Sequence, residues 1–224
     1  MKRLFILVLI HLAFVSQAQD KNYTQILGVT GAWAPKINSV SAEYFRVWTA
    51  GKTKRIELGG GVRFTSFFAS QQHFTSAPAA LAADPSKVDT PFVGTTQTNS
   101  FNVAIHLGYK VSNKIGLGFK IDALGFSFGG KQTGEFGPNS NRQPVSAAPT
   151  AFNILLINNN DRGTLNSEFF IRYHLTDRWS VKAAYQHLFT EYTTDTKIQT
   201  SPEENDRFRI KTDMFNLGVA LVFK

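Results

Sequence analysis

Residues 101–123 read FNVAIHLGYKVSNKIGLGFKIDA. Phe101, Val103, Ile105, Leu107, Tyr109 and Val111 take every second place, with Asn102, Ala104, His106, Gly108 and Lys110 between them. After Ser112-Asn113-Lys114 the alternation resumes as Ile115, Leu117, Phe119, Ile121 and Ala123, against Gly116, Gly118, Lys120 and Asp122. A period of two belongs to a β-strand, whose successive side chains point to opposite faces. The stretch therefore predicts an antiparallel hairpin with one apolar face and one polar, charged face.

Working outward, the same pattern recurs. Leu165, Ser167, Phe169, Ile171, Tyr173 and Leu175 alternate with polar residues, and past Thr176-Asp177-Arg178 come Trp179, Val181, Ala183, Tyr185, His187 and Phe189. Phe215, Leu217, Val219, Leu221 and Phe223 form a last strand. Upstream, Ile56, Leu58, Gly60, Val62 and Phe64 form another, and Tyr23 to Trp33 a first, broken by Ala34-Pro35-Lys36. Over 38–49 two registers compete, Val40, Ala42, Tyr44 and Trp48 against Phe45 and Val47; a bulge would reconcile them. The count is eight strands. Short connections near 50–54, 112–114 and 176–178 alternate with long ones over 69–98, 131–163 and 190–212, while 34–37 is short for the long-loop end.

That asymmetry, with strands of about ten residues, predicts an all-β fold: an eight-stranded antiparallel up-and-down transmembrane β-barrel with short periplasmic turns and long extracellular loops. A soluble exported sheet protein also alternates, but its strands usually run to about 5–6 residues. Aromatics at strand ends (Trp33, Trp48, Tyr109, Tyr173, Trp179, Phe189 and Phe223) suit interfacial girdles.

The start of the chain reads as a targeting signal. Met1-Lys2-Arg3 is basic, Leu4 to Val15 is apolar apart from His11, and Ser16-Gln17-Ala18 ends on small residues. The expectation is a secretory signal over 1–18 and one barrel domain over 19–224. Of 24 basic residues two lie in the signal, leaving 22 against 16 acidic, a mature charge of +6. With no Cys, disulfide scaffolds and thiolate metal sites are excluded.

Asn216-Leu217-Gly218-Val219-Ala220-Leu221-Val222-Phe223 resembles the terminal signal of bacterial outer-membrane proteins: polar, x, Gly, x, x, apolar, x, aromatic. In that family the strand ends on the aromatic residue, whereas here Lys224 follows. The resemblance implies that Asn216, Gly218, Leu221 and Phe223 are read by the barrel-assembly machinery. The stretch 23–224 as a whole resembles small outer-membrane β-barrels of the OmpA/OmpX/OmpW-like kind, which implies the architecture and a cell outer membrane location. It does not select a function.

The inward face carries the charges: Glu57, Arg63, His106, Lys110, Lys120, Asp122, Glu168, Arg172, His174 and Lys182. Eight strands leave a lumen that side chains can fill, and buried charges must pair, so a plugged lumen is expected rather than a pore. On the outer face, Ser167 falls opposite His187, a couple that would suit lipid A hydrolysis, but the orienting acid is missing, since Glu191 lies roughly 13 Å further along its strand. Arg207, Arg209 and Lys211 share the outward parity and would suit lipopolysaccharide phosphates. Phe152, Ile154, Leu155, Leu156 and Ile157 make an apolar run in a long loop, which extends a strand, packs over the mouth or forms a binding patch. Ser76-Ala77-Pro78 before Ala79–Ala83 reads as a short capped helix, and 139–144 as a mobile tip. Nothing suggests a catalytic residue set, a cofactor, a metal or nucleic-acid binding. The expected function is a monomeric, non-enzymatic envelope or surface-interaction protein whose partners are outer-membrane lipid and lipopolysaccharide. A conduit for small hydrophobic molecules is the alternative and a lipid A-modifying enzyme the third reading.

Overall fold

The alternating segments close into a ring. The computed structural model describes residues 23–137, 143–156 and 160–223; the expected signal over 1–18 lies outside the described residues, as do Ile157, Lys224 and most of the 139–144 tip. The strands are β1 (Tyr23–Ala34), β2 (Ile37–Ala50), β3 (Ile56–His73), β4 (Thr75–Ser76), β5 (Phe92–Lys110), β6 (Ile115–Phe128), β7 (Gln132–Phe136), β8 (Gln143–Pro149), β9 (Phe152–Ile154), β10 (Leu165–His174), β11 (Trp179–Thr194) and β12 (Arg207–Phe223). Eight of them pair antiparallel in the order β1-β2-β3-β5-β6-β10-β11-β12, and β12 returns to β1 through Val29↔Val219 and its neighbours. Closure removes every sheet edge from the ring, as a lipid-solvated backbone requires.

The outer wall carries a belt of large apolar side chains, among them Leu27, Val29, Val103, Ile105, Leu117, Phe169, Ile171, Leu217 and Val219. Phe169 is 63 % exposed. A belt of this extent far exceeds the apolar patch of a soluble monomer, so its solvent is hydrocarbon. Trp48, Tyr109, Tyr173, Trp179 and Phe223 are exposed at the tight-turn end, where amphipathic rings meet the headgroups. Phe189 does not belong to this girdle: it is buried beneath the Arg209 guanidinium, 4.8 Å above its ring.

Strand β2 pairs with both neighbours without a bulge. Val40, Tyr44 and Trp48 point out, while Phe45 and Val47 point in and pack with Ile26 and Ala104 on the lumen side. The competing registers are thus two apolar faces of one regular strand. The irregularity falls instead on β6, where the pairing shifts between Val103 and Ala104 and leaves Ala123 extra. Outward positions then resume at Leu124, Phe126 and Phe128.

Glycines let β2 and β3 approach: a Cβ on Gly61 would sit 2.0 Å from the Tyr44 carbonyl oxygen and 2.7 Å from the Phe45 ring. Gly61→Val is expected to cost about 3 kcal/mol or more, because backbone cannot yield as a flexible side chain would. Gly60→Ala, whose Cβ meets nothing closer than 3.8 Å, is expected to stay within about 0.5 kcal/mol by urea unfolding in lipid.

Strands β3, β5, β11 and β12 run well past their expected ends at the long-loop end. Strand therefore takes up just under half of each of the segments 69–98, 131–163 and 190–212. There the polarity inverts: Phe67, Phe74, Leu188, Tyr192, Phe208, Ile210 and Met214 turn inward and form one apolar cluster. Phe74 packs edge-on against Tyr192 at 5.5 Å. Hairpin β7–β8 bridges from β5 to β11, and β4 takes the edge of β12 that β1 has left. A helix, α1 (Ala79–Ala82), forms as expected but lacks the side-chain cap; Ser76 instead donates to Gln199 at 2.8 Å.

Candidate functional site

Inward side chains of the ring stack in levels. Nearest the tight turns, Glu57 gathers His106 Nε2 at 3.5 Å, Arg172 Nη1 at 3.8 Å and Lys110 Nζ at 3.8 Å. Lys110 and His174 are only half-buried, at a mouth recess of about 370 Å3. Above lies an apolar floor of Phe45, Val47 and Phe170, with Lys120 Nζ 4.6 Å over the Phe45 ring.

The centre is an ion lattice. Glu43 accepts from Lys120 at 2.5 Å and from Lys182 at 3.3 Å, and lies 3.6 Å from Arg63 Nε. Glu168 accepts from Lys182 at 2.6 Å, with Lys120 at 3.3 Å and Arg63 Nη2 at 3.8 Å. Arg63 also meets Asp122 at 3.3 Å, and Asp122 accepts from Asn102 Nδ2 at 2.8 Å and the Asn166 amide at 3.1 Å. Among the buried lumen charges, Glu43, Glu57, Asp122 and Glu168 balance Arg63, Lys120, Arg172 and Lys182, four against four. Such a balance leaves the central lumen with no net formal charge. Above the lattice, Asn216 donates to Gln186 at 2.5 Å and Gln186 to Ser39 at 3.0 Å, and the apolar cluster follows. A void within that cluster measures about 20 Å3, room for about one water.

All ten expected lumen residues thus face inward, and Glu43 joins them from the strand whose register was ambiguous. A usable signal existed: Glu43 pairs directly with Arg63 across β2 and β3, so fixing Arg63 inward fixes Glu43 too. Among the described residues no cluster of acids and histidines suits a metal ion.

The outer face holds a different arrangement. Ser167 and His187 are cross-strand partners as expected. Ser167 Oγ, however, donates to the His187 main-chain carbonyl at 3.4 Å. His187 Nδ1 meets Asp213 Oδ1 at 2.7 Å. Asp213, directly across on β12, supplies the acid missing from the sequence reading. With the serine turned to backbone, the three do not form a proton relay in this arrangement.

The expected basic face is corrected as well. Arg207 donates to both Glu191 oxygens at 2.8 and 3.0 Å, and Arg209 to Glu191 at 2.9 Å and to the Asp161 carbonyl. Arg209 is only 4 % exposed, covered because the sheet continues above the apolar belt. Lys211 alone of the three is exposed. Of the apolar run, Phe152–Ile154 form a short strand that pairs with Leu124–Phe126, placing Phe152 outward beside Phe126, with Leu156 exposed beyond. At the loop end Lys131 donates to both Asp195 oxygens at 2.8 Å, and this hydrogen bond holds the Asp195 carboxyl below its ordinary range; both groups are half exposed, so the pair adds little to stability.

No protein-family model and no curated protein matches the sequence. Solved structures with a similar path include Neisserial surface protein A, at 9% identity and a TM-score of 0.38, covering 89% of this chain and 95% of that one. Ail, the attachment invasion locus protein of Yersinia pestis, is 7% identical with a TM-score of 0.37, over 90% of this chain and 96% of that one. The N-terminal β-barrel domain of Pseudomonas aeruginosa OprF is 11% identical with a TM-score of 0.35, over 92% and 100%. Strand pairing and the apolar wall place this chain in the architecture of small outer-membrane β-barrels.

Proposed function

We propose that this protein resides in the cell outer membrane as a small monomeric envelope barrel with a sealed lumen, and acts through a folded platform at its extracellular end. The tight turns then face the periplasm, and outer-membrane lipid and lipopolysaccharide are its surroundings. Asn216, Gly218, Leu221 and Phe223 would be read by the assembly machinery on the strand that closes the ring. The observation that carries the reading is the two-level filling of the lumen: the Glu43–Arg63–Lys120–Glu168–Lys182 lattice below and the Phe67–Phe74–Tyr192–Phe208 core above. A charged lattice opposes apolar solutes and a packed core opposes ions, which argues against the conduit alternative. The same core makes the extracellular end a rigid surface rather than a set of separate loops, suited to contact with a partner.

Planar-bilayer recording of the refolded chain tests this. The expected trace shows no steady conductance above the bare bilayer in either polarity. A stable open level in the unmodified protein would overturn the sealed lumen and restore the conduit.

A further inference from the structure

The mouth at the tight-turn end is ringed by cations that lack carboxylates. Each tight turn ends on an exposed cation: Arg55 before β3, Lys114 before β6 and Arg178 before β11. Each stands one residue short of an outward side chain, Ile56, Ile115 or Trp179, and so continues the lumen-side parity. The main chain fixes all three. Lys110 N donates to the Arg55 carbonyl at 2.8 Å, His174 N to that of Lys114 at 2.8 Å and Val222 N to that of Arg178 at 2.7 Å. Lys110, His174 and Val222 in turn line the recess of about 370 Å3 at this mouth. The cations therefore crown the recess from three sides and do not share the parity of the lipid-facing wall.

Two carboxylates line the recess, Glu57 and Asp177. Glu57 meets buried Arg172 at 3.8 Å. Asp177 is left with Arg55, Lys110, Lys114 and Arg178, a surplus of three positive charges. Lys52 and Lys54 on the first turn raise it to five, close to the whole mature charge of +6. Among the described residues no ion pair ties Arg55, Lys114 or Arg178, and Lys110 reaches Glu57 only at 3.8 Å, beyond hydrogen-bond distance. Arg172 adds its charge rather than a contact. Neutral donors complete the site. Ser112 Oγ accepts from the Lys114 and Ile115 amides at 3.2 and 3.1 Å, and Thr176 Oγ1 from the Arg178 and Trp179 amides at 3.2 and 3.0 Å. Each hydroxyl keeps its proton to donate, and both line the recess. Its volume falls in the small-molecule range of about 300–1,000 Å3, and a cleft ringed by one sign of charge concentrates counter-ions.

We propose that the tight-turn mouth binds one small multivalent anion bearing phosphate or carboxylate groups, held by Arg55, Lys110, Lys114 and Arg178 with Ser112 and Thr176 donating to it. The inference goes beyond the extracellular platform. It rests on the barrel reading for the closed ring and for tight turns that face the periplasm, which makes the ligand a periplasmic solute.

The test titrates the full chain, in phosphatidylcholine nanodiscs at low salt, with inorganic pyrophosphate, citrate and acetate by calorimetry. Pyrophosphate or citrate is expected to bind one per chain and about tenfold or more tighter than acetate; the tighter of the two tells phosphate from carboxylate. Lys110→Gln and Lys114→Gln are each expected to weaken that binding about tenfold, the loss of one charge-assisted contact. Lys36→Gln, exposed at the loop end, is expected to leave it unchanged. No saturable binding of either multivalent anion, equal weakening by Lys36→Gln, or no weakening by either mouth variant means counter-ion screening only and overturns the proposal. Native mass spectrometry of chain released from discs containing phosphatidylglycerol is the second arm. A bound phosphatidylglycerol that pyrophosphate does not displace assigns the crown to the membrane and overturns the proposal too. Heat-modifiable gel mobility is recorded on the same samples. Its loss in the unmodified protein would count against the barrel itself, whereas normal mobility without anion binding sinks only the site.

Discussion

Glu43→Ala is expected to destabilise the folded barrel by about 3–5 kcal/mol, because it strips a carboxylate from three buried cations at once. Lys120 at 2.5 Å, Lys182 at 3.3 Å and Arg63 at 3.6 Å all share that carboxylate. Glu168 also touches all three, at 3.3, 2.6 and 3.8 Å, and Asp122 meets Arg63 at 3.3 Å, but two carboxylates cannot neutralise three cations. The variant therefore buries excess positive charge in a lumen with little water to screen it. Urea unfolding in lipid vesicles, followed by tryptophan emission, measures the cost. Pairing it with Lys120→Met in the same chain removes one of the orphaned cations and is expected to restore about half the loss, since an absent pair is cheaper than a broken one. A Glu43→Ala effect under about 1 kcal/mol would mean that the lattice is hydrated and the lumen open.

The second large effect lies on the opposite face of the wall. Ile105→Arg places a guanidinium midway up the apolar belt, where the side chain now stands 44 % exposed. A cationic side chain at the bilayer midplane of a barrel costs about 2–4 kcal/mol. Thr95→Arg, on the same strand and the same face but above the belt, is exposed as well and is expected to change stability by less than about 0.5 kcal/mol. In water the two substitutions would be equivalent. Equal and small effects at both sites would therefore remove hydrocarbon as the solvent of the wall.

The ring was legible wherever one face of a strand was apolar and the other polar. Residues 101–123 gave a hairpin in the observed pairing, and the Ser167↔His187 register came from a three-residue turn. The features that stayed hidden have physical causes. Strand β2 is apolar on both faces, since Phe45 and Val47 floor the lumen while Tyr44 and Trp48 meet lipid, so alternation alone could not place Glu43. The bulge at Ala123 preserves Asp122 inward and shifts only the residues after it, which left Leu124, Phe126 and Phe128 unrecognised. Above the belt the solvent changes from hydrocarbon to water and the apolar side chains move inside; a search for outward apolar positions passes over Phe67, Leu188, Tyr192 and Phe208 and reads loops. Spacing along β11 offers His187 only the distant Glu191, whereas the register to β12 places Asp213 alongside it. Arg209 shared the outward parity, but parity does not report what lies over a side chain.

The most direct test uses the absence of cysteine in the sequence. Single cysteines along β5, carrying nitroxide labels in vesicles, report collisions with oxygen and with a water-soluble nickel chelate. Labels at Val103, Ile105 and Leu107 are expected to meet oxygen and not nickel, a label at Ala104 to meet neither, and labels at Thr95 and Gln97 to meet nickel. Nickel access at Val103, Ile105 and Leu107 equal to that at Thr95 would contradict a lipid-solvated wall.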